Sequence, residues 1–336
     1  MYERHPRFPG RGARFARGTV LLLDLPAGYG LPALIIALSL ALGCSPSARG
    51  EIYRWTDAQG RVQLSDRPPP DGAEDGTDIS KKYRQRVPFS VRIIPVDYQM
   101  PPQTHAKVEV AVSKIHEILQ SRLGLDFRAD PSFTVRIFND RQSYTRYAEG
   151  PPLAGTASGY YSAQSNEAVT WRQHSFEQML GVITHEANHA LLRQRLGNVP
   201  PWLNEGLSEY FERMEVFGQA VVIHPNPQWD ATVRRQVREG TIEPLRKYLT
   251  LSQQDWQLHD LSGNRSYAQA WSFVYFLMST PEGTRLLADL LETLDRVGAA
   301  GFSGPEVIDA DFDGGLAALE SRWHAWALGP KQAHHY

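Results

Sequence analysis

The chain has 336 residues, with 42% hydrophobic and 21% charged residues and a formal net charge of −2. That length buries a substantial core in one large domain or two unequal ones. The near-neutral, scattered charge excludes an electrostatic partner such as nucleic acid, and the one cysteine, Cys44, excludes an intrachain disulfide or a cysteine-built metal site.

The chain opens on a basic stretch, with Arg4, Arg7, Arg11, Arg14 and Arg17 against the single acid Glu3. The apolar run "LPALIIALSLALG" follows, Leu31 to Gly43. A basic start, a short apolar run and small residues at its end predict a secretory signal over residues 1–43 and export. The run is too short for a comfortable membrane span. Two fates compete at its end: plain cleavage after Gly43, or lipid attachment at Cys44 that anchors the protein to a membrane. Ala41 and Leu42 depart from the usual lipoprotein pattern of Leu, small, small, Cys.

Residues 44–70 read as a small β module. Tyr53 and Trp55 alternate on one side, Val62 and Leu64 on the return, and "TDAQG" supplies the turn between them. Pro68, Pro69 and Pro70 end the pairing, because proline donates nothing to a ladder. The Tyr-x-Trp-x-Asp-x-x-Gly core and the Ser-Asp-x-Pro-Pro tail resemble a small domain of unknown function found after the signal peptide in many bacterial envelope proteins, and the resemblance implies a bacterial periplasm or cell envelope as the location. Residues 71–88 are polar and charged and read as a linker.

Beyond Pro88 the patterns alternate between helix and strand before turning helical. Val108, Val112, Ile115 and Leu119 recur at helical spacing, closed by Gly124. "FTVRIF" predicts a strand, with Asn139-Asp140 as turn and helix cap. "GYYSA" and "EAVTWR" predict a hairpin across Gln164-Ser165-Asn166. Ser175 with Gln178 forms a capping-box pattern that opens a long helix ending at Gly197. Pro201 suits the first turn of the next helix, "WLNEGLSEYFERM". The helices "SYAQAWSFVYFLM", "TRLLADLLETLDRV" and "LAALESRWHAWAL" follow. Strands first and helices after predict an α+β domain over residues 89–329. Residues 330–336, with His334 and His335, read as a frayed tail.

The long helix carries "THEANHALL", Thr184 to Leu192. His185 and His189 stand four residues apart, one turn plus 40°, so their imidazoles converge on one point. Glu186 lies beside that point without facing it, where a carboxylate can take a proton from metal-bound water. The next helix, reached over a short Gly-Pro-Pro connection, brings Glu205 back toward the pair. Two histidines and a glutamate leave a zinc ion one open position, the catalytic arrangement. Glu209, one turn further, either orients a ligand histidine or is a solvated helix carboxylate.

"THEANHALL", "PPWLNEGLSEYFE" and "YAQAWSFVYFL" together resemble the gluzincin zinc metallopeptidases, in particular the peptidase MA-like families of bacterial envelope proteins, over roughly residues 90–328. The resemblance implies a thermolysin-like fold: a small mixed sheet and motif helix, then a helical subdomain. It implies one zinc held by His185, His189 and Glu205, Glu186 as the base, and a peptide or protein substrate. The second motif of thermolysin, Asn-Glu-x-x-x-Asp, stands here as Asn204-Glu205 with Glu209 replacing the aspartate. In related enzymes a tyrosine or histidine stabilises the developing oxyanion, and Tyr267 is the candidate; its alternative is a core aromatic on one stripe with Trp271 and Tyr275. The strand "EAVTWR" could offer its edge to an extended substrate. Two other readings stay open: a non-catalytic envelope binding or assembly protein on a peptidase scaffold, and a zinc amidase acting on cell-wall peptides. No serine-hydrolase elbow or phosphate-binding glycine loop occurs.

Overall fold

The computed structural model describes residues 53–56, 62–65, 74–78, 89–127, 131–148, 158–260 and 265–336. The expected signal segment 1–43, Cys44, the turn "TDAQG" and the proline run 68–70 lie outside the described residues. The chain divides into two units, Met1–Gln85 and Arg86–Tyr336. In the first, β1 (Tyr53–Thr56) and β2 (Val62–Ser65) pair antiparallel from Tyr53↔Ser65 to Thr56↔Val62, the hairpin expected from their alternation. A third strand, β3 (Glu74–Asp78), joins on the other side of β1, giving the order β2-β1-β3. The assignment of all of residues 71–88 to a linker is thereby corrected. "EDGTD" carries no apolar residue, so nothing in its composition marks a strand; backbone pairing to β1 makes it one.

In the second unit β4 (Ser90–Val96), β5 (Ser132–Phe138), β6 (Gly159–Ser162) and β7 (Glu167–Trp171) form a sheet in the order β4-β5-β7-β6. β4, β5 and β7 are parallel, and β6 turns back antiparallel on β7. α1 (Pro102–Ser121) makes the crossover from β4 to β5, as parallel pairing requires, and buries Val108, Val112, Ile115 and Leu119 against the sheet. α2 (Arg141–Ala148) starts where Asp140 Oδ1 accepts from the Ser143 amide at 2.8 Å. All five residues of β7 are buried, including Glu167, which pairs with Arg136 at 2.5 Å. β7 is thus an interior strand, and the expectation that it offers its edge to a ligand is corrected: among the described strands the edge on that side belongs to β6.

The rest is mainly helical. α3 (Phe176–Leu196) carries both histidines; Ser175 Oγ accepts from the Gln178 amide at 3.2 Å, as the capping pattern anticipates. α4 (Pro201–Glu212) follows after four residues. The expected continuation of this helix to Met214 gives way to a hairpin, β8 (Met214–Phe217) and β9 (Ala220–Ile223), turned at Gly218 with φ of 62°. α5 (Pro227–Glu239), α6 (Leu245–Tyr248) and α7 (Gln253–Asp260) lead to α8 (Arg265–Met278). α9 (Pro281–Val297), α10 (Gly304–Asp311) and α11 (Gly315–Leu328) complete the helical half. α8 runs through its centre: Phe273 packs on Trp202 of α4 and on Trp323 of α11, whose indole N–H donates to Ser272. The architecture is α+β. No helix among the described residues is long and apolar enough to cross a membrane.

The tail is not frayed. His334 and His335 form β10, which adds to β9 to give the order β10-β9-β8. Tyr336 exchanges backbone hydrogen bonds with Val221 at 2.9 and 3.0 Å, and its hydroxyl lies 2.7 Å from that of Tyr210 on α4. His334 stacks on Tyr275 and contacts the Tyr210 hydroxyl through Nδ1 at 2.8 Å. Aromatic packing and pairing to β9 offset the entropy that would otherwise leave a polar tail loose.

Burial, with the neighbouring His335 charge second, lowers the His334 pKa from 6.5 to about 4. The folded state favours neutral His334, while the unfolded chain takes up a proton below pH 6.5. The stability His334 supplies is therefore intact above about pH 6.5 and is lost as pH falls toward 4, by up to about 3 kcal/mol. In denaturant unfolding of wild type and His334→Gln, the stability advantage of wild type should shrink by that order between pH 7 and pH 4. A constant difference across the window would show that His334 titrates normally.

Candidate metal centre

α3 and α4 pack closely, and two features of their sequences permit it. Thr184 is buried, and its one hydroxyl proton is shared between Gly181 O within α3 and Phe211 O across to α4, at 2.9 and 3.0 Å. On the far side of α4, Gly206 lets α8 approach: a Cβ there would lie 2.6 Å from Val274 Cγ2 and 2.9 Å from Ala270 O. α4 is thus wedged between α3 and α8, with Trp202, Leu203, Leu207, Tyr210 and Phe211 buried. Its remaining positions, Glu205, Ser208, Glu209 and Glu212, recur at i, i+3, i+4 and i+7, a polar stripe on one face of a buried helix.

That stripe meets the histidines. Glu205 Oε2 lies 3.5 Å from His185 Nε2 and 3.6 Å from His189 Nε2, and the ligand atoms of all three residues fall within 4.8 Å of one another. Bonds of 2.0–2.2 Å in tetrahedral geometry put ligand atoms about 3.3–3.6 Å apart, so the spacing of Glu205 from both histidines fits a single zinc-sized cation.

The outer nitrogens agree with this. Ser208 Oγ lies 3.0 Å from Asn204 O, to which it donates, and 2.9 Å from Asn188 Nδ2, from which it accepts. His189 Nδ1 stands 3.2 Å from the same oxygen. A hydroxyl has one proton and two lone pairs; with the proton spent on Asn204, His189 Nδ1 must be the donor, which leaves the Nε2 lone pair facing Glu205. His185 Nδ1 faces two carboxylates, Glu212 Oε2 at 3.7 Å and Glu209 Oε1 at 3.9 Å. These are ion-pair distances rather than hydrogen bonds.

Four carboxylates around two imidazoles leave excess negative charge. Burial by itself would lower the His185 pKa, but Glu205 and Glu212, with Glu186 and Glu209 behind them, raise it well above 6.5. Glu205 is held low by His189 and His185 against the opposing effect of burial. Burial, then the charge of Glu212, pushes Glu209 up to about 8, and Trp229 Nε1 donates to its other oxygen at 2.6 Å. His185 keeps Glu212 below the ordinary carboxylate range despite burial. The position expected for Glu209 is shared, with Glu212 the nearer.

The centre opens on a cleft of about 1410 Å³. Glu186 and Tyr267 line it with the three candidate ligands, and β6 forms one wall. Burial raises the Glu186 pKa, partly opposed by His185 and His189. Tyr267 packs edge-on against Trp256, ring centroids 5.7 Å apart, rather than joining the Trp271–Tyr275 contact on the same helix. The structure therefore brings His185, Glu186, His189, Glu205 and Tyr267 to one cleft. Ser208 and Glu212 escaped the sequence reading, although the polar stripe they complete was there to be read.

Comparison with known families gives two matches. Residues 179–296 match the family described as Protein of unknown function (DUF1570), which is associated with peptidase-like proteins, and residues 39–80 match Domain of unknown function (DUF4124). A search of curated proteins finds no match. The first match spans α3, α4 and α8, the three helices that build the centre.

Gly206→Ala should destabilise the second unit by about 1–3 kcal/mol, since the added methyl has backbone on one side and Val274 on the other. Thermal or denaturant melting of the variant measures this. A neutral effect would mean that α8 is free to move away from α4.

Proposed function

We propose that the chain is an exported zinc-dependent peptidase of gluzincin type. The observation that carries this reading is the convergence of His185 Nε2, His189 Nε2 and Glu205 Oε2 at zinc-compatible spacing, in a cleft that Glu186 also lines. His185, His189 and Glu205 would hold the ion. A bound zinc would acidify water toward neutrality and polarise a carbonyl, which is the chemistry amide hydrolysis needs.

The chain's own residues supply the rest. Glu186 takes the proton of the attacking water and delivers it to the departing amine nitrogen. Its burial suits this work, because a carboxylate lifted toward neutrality is the better base. Ser208 and Glu212 hold the two imidazoles with their Nε2 atoms turned to the ion. Tyr267 donates its hydroxyl proton to the developing oxyanion. β6, paired on one side with β7, has its other backbone edge available to an extended peptide, as strand addition requires. The basic and apolar leader supports export.

The purified mature protein should contain about one zinc per chain. Glu205→Ala should lose the metal. Glu186→Gln should keep it while losing at least about 100-fold in peptide hydrolysis. Metal analysis, with mass spectrometry of digests of a peptide library and of cell-wall fragments, reads these outcomes and separates a peptidase from an amidase. An intact, folded protein that takes up no zinc would end the proposal, and full activity in Glu186→Gln would remove its base.

Ser208→Ala should lower zinc affinity about tenfold, by freeing the His189 tautomer, while the fold persists. Competition with a chromogenic chelator measures it. Unchanged affinity would show that His189 is oriented by packing alone.

A further inference from the structure

Arg193 stands one helical turn beyond His189 on α3 and lines the same cleft. Positions 185, 189 and 193 continue one face, and ideal geometry sets Arg193 about 6 Å further along the axis than His189. It is the only lysine or arginine among the described residues that line the cleft. Its side chain is exposed. Its hydrogen-bond partner is the neutral Asn198 Oδ1, and no carboxylate among the described residues pairs with it. Arg195, two residues on, shows the contrast: it is forked onto Asp295 and bonded to Asp126 O. One arginine of this helix end ties the fold together. The other presents an uncompensated charge to the cleft.

β6 gives that charge a register. At its start, a Cβ on Gly159 would lie 2.4 Å from Val182 and 3.5 Å from Glu186 Cγ, so Gly159 is level with the base. Two residues on, the Tyr161 side chain reaches the end of α3: its hydroxyl donates to Asn166 Oδ1 at 2.9 Å, which also accepts from Gln194, the neighbour of Arg193, at 3.2 Å. Strand and helix therefore run in the same direction, with Gly159 beside Glu186 and Tyr161 lining the cleft with Arg193. The seven residues from Glu186 to Arg193 rise about 10.5 Å, and two or three residues of strand cover about 6.6–9.9 Å. A peptide laid along β6 with its reacting carbonyl beside Glu186 brings the group two or three residues away within reach of the long Arg193 side chain.

We infer that Arg193 is a specificity-determining residue that binds a carboxylate on the substrate two or three residues from the bond that is cut. This rests on reading the cleft as a peptidase site. A guanidinium meets a carboxylate with two charge-assisted hydrogen bonds, and Asn198 leaves most of its five donors unused. The carboxylate has two sources, tied to the direction of the peptide. Antiparallel to β6, Arg193 meets an acidic side chain on the amino-terminal side of the bond. Parallel to β6, it meets the carboxyl-terminal side, where a chain-end carboxylate or an acidic side chain fits.

The test uses the full-length zinc-loaded protein and matched peptides: Glu against Gln two or three residues before the cleaved bond, Glu against Gln two or three residues after it, and free against amidated carboxyl end at those later places. One pair should be favoured by about tenfold in kcat/KM, and which pair it is assigns the source. Arg193→Gln should remove the preference, Arg193→Lys should keep part of it, and Arg193→Glu should shift it toward lysine-bearing peptides. Equal cleavage of every pair by wild type, or a preference that survives in Arg193→Gln, overturns the inference while leaving the peptidase reading intact. Binding of the same labelled peptides to the Glu186→Gln protein, followed by fluorescence anisotropy, gives a second readout without turnover. Arg193-dependent binding of the acidic peptides with no cleavage by wild type would sustain the subsite and end the peptidase reading. Absence of binding and cleavage alike overturns both.

Discussion

A carboxylate wedged between two imidazoles sets the terms for the rest of this molecule. Glu205 reaches His185 and His189 only because α4 lies against α3 at close range. That contact depends on Thr184 spanning to the Phe211 carbonyl and on Gly206 admitting α8 from behind. Burying an acid there without compensation would cost several kcal/mol. The compensation comes from the histidines, and their outer nitrogens are answered in turn by Ser208 and by the Glu209–Glu212 pair. The contacts run from Glu205 through both imidazoles to Ser208 and the Glu209–Glu212 pair, so the site is a charge balance as much as a geometry.

The balance is lopsided toward acid. A protonated His185 can settle it in the metal-free protein, and a divalent cation settles it more fully. The same ion would therefore stabilise the fold and assemble the site, and α3 and α4 would gain rigidity from the step that makes them competent. The cleft wall on the other side comes from a different layer. β6 is short, antiparallel and last of the described strands in its sheet, and its glycine lets it lie against α3 near Glu186. Sheet and helices meet along that line.

Much of this was legible beforehand, and the parts that were not have physical reasons. The caps at Ser175 and Gly197, the apolar periodicity of α1 and the prolines opening α4 are local signals, and they fix where helices start and stop. His185, Glu186 and His189 follow from spacing on one helix; Glu205 needed only the short connection to α4. Pairing partners are harder, because strand order is a property of the whole sheet. β7 reads as a strand from its own residues, but only the assembled sheet reveals that β6 holds the edge. β3 and β10 have no apolar alternation, and they are strands because a neighbour's backbone was waiting. The hairpin of β8 and β9 was hidden by helix formers running up to Met214, although Gly218 between two alternating runs marked its turn. Ser208 and Glu212 were missed because each was weighed singly rather than as members of one stripe.

The pinning of residues 334–336 has a consequence for the helix that carries Glu205. These residues are laced into β9, and Tyr336 is pressed onto that helix at Tyr210. Peeling them from the sheet would uncover Tyr210 and loosen the back of the candidate centre, so strain applied to this short strand would be felt in the cleft.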